Sequence, residues 1–284
     1  MLNLPQIKIG ISPDIDAKAF INFLWHPFLK QNRHKIIKVY PEIESMVSSN
    51  SAKEDIKKYL FTLHQQKKEQ LEIIKNDQEK IIEEKGEKAF QRLGEIMNYT
   101  WENPFTYTAY FSLLPFSPFK EDHFLYSTLN QFKKGISKNK SVLVVAVHEI
   151  SHLLFFQYLN KLGIQLSKGT THLFKEALTA AILQDAKLSA FLDYKHTEVN
   201  PEIKELYVKK NGRVLKATDY LFYLLIENMD LNKNFLEQLK ESLEEFKKSD
   251  KDFDEKMDFW NKHGKLIFKD AELLKQFKEP VLID

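Results

Sequence analysis

The chain of 284 residues contains no cysteine. Disulfides and thiolate metal ligands are therefore excluded, the composition suits a reducing cytoplasm, and any metal must be held by histidine and carboxylate donors. An excess of either charge is also lacking. The 42 basic and 40 acidic residues leave a formal net charge of +2, too little to drive nucleic-acid binding by neutralising phosphates. The opening Met1-Leu2-Asn3-Leu4-Pro5-Gln6 lacks the basic region and unbroken apolar segment of a secretory signal, so the expectation is a cytoplasmic protein. One apolar run, residues 142–159, approaches membrane length, but His148, Glu149, Ser151, His152 and Gln157 interrupt it. A spanning bundle would need partner segments of about 20 apolar residues, and the next run, 220–226, is far shorter. No membrane insertion is expected.

What is present suffices for a sizeable core: 43% of residues are hydrophobic and 13% aromatic. The segment 13–24 reads as a helix with acids near its start. Residues 51–100 are helical and heavily charged, with Ile56, Leu60, Leu63, Ile74 and Ile81 on an approximate stripe. They suggest a surface helical hairpin, since the seam of a coiled coil fails at Lys67 and Gln70 and Gly86 interrupts it. Residues 106–114 and 124–129 are aromatic and β-branched and are punctuated by Pro115 and Pro118, as a small sheet would be. A motif helix is expected over 139–162 with Gly163 as terminator, then a second helix over 171–191 capped by Thr170 or Thr171. Helices are also expected over 217–229, 232–248 and 252–277. The fold class is thus α+β, mainly helical, with a helical N-terminal part (1–103) and a second part (104–284) that together form one compact unit.

Within the motif helix stands His148-Glu149-Ile150-Ser151-His152. Side chains four apart share a helix face, so two imidazoles can point at one ion. That spacing suits tetrahedral zinc, and Glu149 can reach a water in an open coordination position. Such an arrangement can hydrolyse an amide. Ionisable groups on so apolar a helix are costly to bury unless paired or bound to metal.

A hydrolytic zinc site needs a third protein ligand. The extended pattern that places Gly and His after the motif is absent, because Phe155 and Tyr158 occupy those positions. Glu176 is the candidate. It shares a face with Leu173, Thr179, Ala180 and Leu183, where a lone carboxylate wants a cation, and Ala177, Ala180 and Ala181 would allow close helix approach. Through His148-Glu149-Ile150-Ser151-His152 and Glu176-Ala177, the chain resembles the gluzincin metallopeptidases, the group of thermolysin and the zinc aminopeptidases. The resemblance covers about residues 104–190. It implies an upstream sheet whose edge strand, from 107–113 or 123–129, binds an extended peptide, followed by the motif helix and the Glu-bearing helix. Twenty-three residues separate His152 from Glu176, more than in the best-known members, and the shorter thermolysin spacing lands on His172, the reserve ligand. Ala180 stands where thermolysin-like members carry an acid that supports a histidine, and Asp185 should face away.

The resulting expectation is a zinc-dependent peptidase with one Zn2+ on His148, His152 and Glu176, Glu149 as general base, and a peptide or protein as substrate. Gluzincins usually add a Tyr or His that donates to the oxyanion. Tyr207 is the first candidate here and Tyr220 the next, ahead of Tyr194, His196, Tyr223 and His263. Two other readings stay open: a non-catalytic zinc- or peptide-binding relative, and an interaction scaffold built on the charged helices.

Overall fold

Ile7, Ile9 and Ile11 alternate with Gln6, Lys8 and Gly10, and this period of two makes the first strand, β1 (Gln6–Ile11). The structure, a computed structural model, describes residues 3–26, 30–103, 105–129, 141–194, 200–227 and 234–283. Two compact units are present, one of residues 1–87 and 101–149, the other of 88–100 and 150–284.

In the first unit β1 pairs in parallel with β2 (Thr106–Ser112), which pairs in parallel with β3 (His123–Ser127). β2 and β3 are expected from the sequence; the pairing of β1 is not, and it ties the N-terminal segment to residues 106–127. Pro115 and Pro118 lie in the return segment that lets two neighbouring strands run parallel without a helix between them. That segment also lines the outer side of β3: Leu125 N–H donates to Pro118 O at 2.8 Å, Ser127 N–H to Ser117 Oγ at 3.0 Å, and Lys120 N–H to His123 O at 2.7 Å. Among the described residues β2 is central and the outer side of β3 is already bonded at these three points, which leaves the strand addition expected at 107–113 or 123–129 little ladder to join there.

The helices α1 (Pro13–Trp25), α2 (Lys30–Val39), α3 (Glu42–Val47) and α4 (Ala52–Gln66) lie wholly in this unit. Ser12 caps α1 by accepting from Ile15 N–H at 3.3 Å. Phe20, Leu24, Ile36, Ile43, Ile56 and Leu60 form its apolar core with Leu113 and Leu114. A buried polar tie crosses that core. Asp16 Oδ2 lies 2.8 Å from His64 Nε2 and accepts from Leu113 N–H at 2.9 Å, while Ser112 Oγ donates to Asp16 Oδ1. The stripe Ile56, Leu60 therefore packs against α1, and α4 does not fold back on α5 (Lys68–Ile96) as a hairpin would. Nor does Gly86 interrupt α5, which runs unbroken for 29 residues. A helical glycine weakens a helix by about 1 kcal/mol without ending it.

The second unit holds the end of α5, most of α6 (Val142–Leu162), α7 (Lys168–Ile182), α8 (Ala186–Leu192) and α9 (Pro201–Lys204). It continues with β4 (Tyr207–Lys210), β5 (Arg213–Lys216), α10 (Ala217–Leu225), α11 (Phe235–Lys248), α12 (Asp250–His263), a 3-10 turn (Gly264–Lys269), α13 (Ala271–Lys278) and β6 (Val281–Leu282). β4 is central, antiparallel to β5 and parallel to β6. Rings hold the helices together: Phe155 of α6 stacks on Phe174 of α7 at 5.6 Å, Phe174 meets Phe246 of α11 edge-on at 4.8 Å, and Phe246 stacks on Phe253 of α12 at 5.0 Å. Truncating such a ring to Ala costs about 3–5 kcal/mol. The helix expected over 252–277 breaks at Gly264, whose φ of 53° with ψ of −137° is unfavourable for a residue with a Cβ.

With thirteen α-helices among the described residues and two three-stranded sheets, the architecture is mainly helical α+β. α6 is long and apolar enough to cross a membrane, but 72% of its most apolar window is buried inside the protein. Its hydrophobicity is that of a core helix.

Candidate metal centre

The motif helix α6 is buried from Val142 to Val147 because its sequence there is apolar on every side. Its first turn is held by Gln78 of α5, whose Oε1 accepts from Val142 N–H at 2.7 Å. Residues 139 and 140, where the sequence pattern starts this helix, lie outside the described residues. At the other end Gly163 takes a φ of 65°, and Ile164 N–H bonds back to Leu159 O at 3.3 Å. The division between the two units falls inside α6, between Glu149 and Ile150. His148 and Glu149 are therefore carried on the same unbroken helix as His152.

The second helix starts earlier and stops sooner than the sequence pattern suggests. Ser167, not Thr170 or Thr171, is its N-cap and accepts from Thr170 N–H at 3.1 Å. The chain leaves the helix after Ile182, and Asp185 caps α8 through Leu188 N–H at 2.8 Å. The same carboxylate receives Arg92 Nε at 3.0 Å and Nη2 at 2.7 Å, so Asp185 is turned to α5. Along α7, Ala177, Ala180 and Ala181 are buried, and Ser151 Oγ of α6 lies 2.6 Å from Thr179 Oγ1 of α7. That hydroxyl pair sets the register in which Glu176 meets the motif helix.

The outcome is a group of three donors. One ligand atom each from His148, His152 and Glu176 lie within 4.8 Å of one another, and His152 Nε2 is 3.7 Å from Glu176 Oε1. For a tetrahedral ion with bonds of about 2.05 Å, donor atoms sit about 3.3 Å apart. His152 and Glu176, at 3.7 Å, are within a few tenths of an ångström of that spacing, and the distances to His148 are no more than 4.8 Å. The donor set, two imidazoles and a carboxylate, is one that zinc accepts. His152 is 1% and Glu176 7% exposed, whereas His148 is partly open to solvent.

Glu176 has protein partners as well. Lys175 Nζ donates to its Oε1, and Asn200 Nδ2 donates to its Oε2 at 2.8 Å. Neither residue is indicated by the sequence pattern. Glu149 is 5% exposed. In the first unit the buried Tyr107 hydroxyl is held protonated to high pH, mainly by burial and then by the negative charge of Glu149. That phenol donates to Lys120 O at 2.8 Å.

His172, the reserve ligand, lies with its Nε2 3.5 Å from Glu202 Oε1 and does not belong to the three-donor group. Tyr207 donates its hydroxyl to Glu205 Oε2 at 3.3 Å, and Lys278 binds the same oxygen at 3.0 Å. The phenol therefore joins the Glu205–Lys278 ion pair. Tyr220 donates to Glu245 Oε2 at 2.6 Å, with Lys210 Nζ 3.1 Å from its hydroxyl, and serves as a buried strut. Tyr223 is 59% exposed, and the His263 ring rests on Phe259 at 4.6 Å. Tyr194 ends α8 through its N–H to Ser189 O at 3.0 Å. His196 lies outside the described residues.

No protein-family model, curated protein or solved structure matches the chain.

Proposed function

We propose that this protein is a zinc-dependent metallopeptidase. The observation that carries the reading is the convergence of His148, His152 and Glu176, with ligand atoms within 4.8 Å of one another, beside a buried Glu149. A bound zinc ion would polarise an amide carbonyl and lower the pKa of a coordinated water to about 7. Glu149, next to His148 on α6, would take the proton from the attacking water and return it to the leaving amine. His148 and His152 would present their rings from successive turns, and Glu176 would bring the negative charge that binds a dication more tightly than imidazoles alone.

The test is hydrolysis of a mixed peptide library, followed by mass spectrometry, with and without chelator. Wild-type protein is expected to cleave peptides, lose activity to the chelator and regain it with zinc, while Glu149→Gln keeps the metal and loses about 10²–10⁴-fold in rate. Full activity in Glu149→Gln would exclude the mechanism.

One observation favours a second reading, a binding protein without catalysis. Lys175 already supplies a cation to Glu176 Oε1, and a chain that kept this pair would need no metal. It predicts protein free of zinc after purification and no cleavage when zinc is added.

A further inference from the structure

We propose that Asn200 is a positioning residue that makes Glu176 a one-oxygen ligand, an inference that rests on the metal-centre reading above. The terminal torsion of a glutamate is broad and roughly two-fold, so the side chain alone does not decide how its two oxygens are presented. Asn200 decides it. Its Nδ2 holds Oε2 at 2.8 Å, and Oε1 is left facing His152 Nε2 at 3.7 Å.

Three features show that this contact is built. Asn200 is the N-cap residue of α9, yet its side chain makes no capping bond to that helix. A cap of this kind stabilises a helix by a modest amount, and here the amide goes to Glu176 instead. Two residues on, Glu202 meets His172, which precedes Glu176 by one turn on the same helix. α9 is thus fastened along α7 at two points, and the Asn200 amide is delivered by a fixed element.

The third feature is the contrast between the two donors on Glu176. Lys175 is charged and sits on Oε1, the oxygen an ion between the helices would need, so it must leave when metal enters. Asn200 is neutral and sits on Oε2, so it can stay. Because it adds no charge, it leaves the attraction of the carboxylate for a dication intact. By keeping Oε2 engaged it also disfavours two-oxygen ligation, which would fill the vertex that a water needs.

The test compares zinc affinity, by competition with a chromophoric chelator, and the visible spectrum of the cobalt-substituted protein, for wild type, Asn200→Ala and Asn200→Gln. Asn200→Ala is expected to weaken zinc binding about 10–100-fold and to move the cobalt bands toward those of a higher-coordinate ion. The metal-free melting temperature should change little, and Asn200→Gln, which keeps an amide donor, should recover part of the affinity. Zinc affinity within about twofold of wild type and an unchanged cobalt spectrum in Asn200→Ala would overturn the inference while leaving the metal centre standing. A weakened affinity accompanied by a collapsed metal-free melting temperature and an unchanged spectrum in both variants would reduce Asn200 to a structural role and overturn it too. Wild-type protein that takes up no zinc overturns the metal-centre reading and this inference with it.

Discussion

The N–H of Gly169 donates to Asp254 Oδ1 at 2.7 Å, and a Cβ at position 169 would sit 2.5 Å from that oxygen and 2.7 Å from the Asp254 Cα. The same carboxylate oxygen accepts from Ser167 Oγ at 2.8 Å. Asp254 on α12 thereby anchors the first turn of α7, two turns before Glu176, and favours that helix terminus electrostatically as well. Gly169→Ala should separate α12 from α7 and destabilise the protein by about 1–3 kcal/mol. Denaturant unfolding of the metal-free chain measures this. A variant as stable as wild type would mean that the contact yields.

Lys175 bears on metal affinity. Its ammonium must leave Glu176 Oε1 when an ion takes that oxygen, and a hydrogen bond to a charged group is worth about 1.5–3 kcal/mol. Lys175→Met should therefore tighten zinc binding by about tenfold or more and lower the melting temperature of the metal-free form. Chelator competition and calorimetry read the two effects, and weaker zinc binding would contradict the displacement.

Tyr207 provides a different kind of check. With its hydroxyl on Glu205, itself paired with Lys278, Tyr207→Phe should leave kcat within about threefold. An oxyanion donor would cost about 10²–10³-fold. Steady-state kinetics on any cleaved peptide separates the two.

The Arg92–Asp185 pair predicts acid sensitivity. Burial alone would raise the Asp185 carboxyl, but the hydrogen bonds from Arg92 and Leu188 N–H outweigh it and hold the group below its ordinary value. A carboxylate depressed in the folded state contributes stability that is present above its unfolded pKa of about 3.9 and is lost as pH falls through its folded value. Asp185→Asn should cost about 2 kcal/mol at neutral pH, and its deficit relative to wild type should shrink below about pH 4. Thermal melts across pH 3–7 test the sign, and a deficit that grows on acidification would contradict it.

How far the sequence discloses this molecule depends on how local the deciding interactions are. α6 is legible because its apolar run, its terminating Gly163 and the spacing of His148 and His152 are all local signals. Glu176 is legible because a single acid interrupts a face of Leu and Ala. The break between α7 and α8 is not, because no glycine or proline marks it, and what stabilises it is Arg92, 93 positions away from Asp185. Lys175 and Asn200 escape for a related reason. Their types are common, and only tertiary contact puts them on Glu176. Gly86 misleads in the opposite direction, since a Cβ there would meet only Ile82 Cγ2 at 3.5 Å and nothing obliges the helix to end. β1 carries an alternation that is readable, but its partner is β2, across the whole of α1 to α5.

The central claim is that two imidazoles of α6 and one carboxylate of α7 bind a single ion. Elemental analysis of the purified chain, beside His152→Ala and Glu176→Ala, tests it most directly. The account predicts about one zinc ion per wild-type chain and a large loss in both variants. A wild-type chain that stays free of metal after incubation with zinc, or variants that retain the wild-type content, would contradict it.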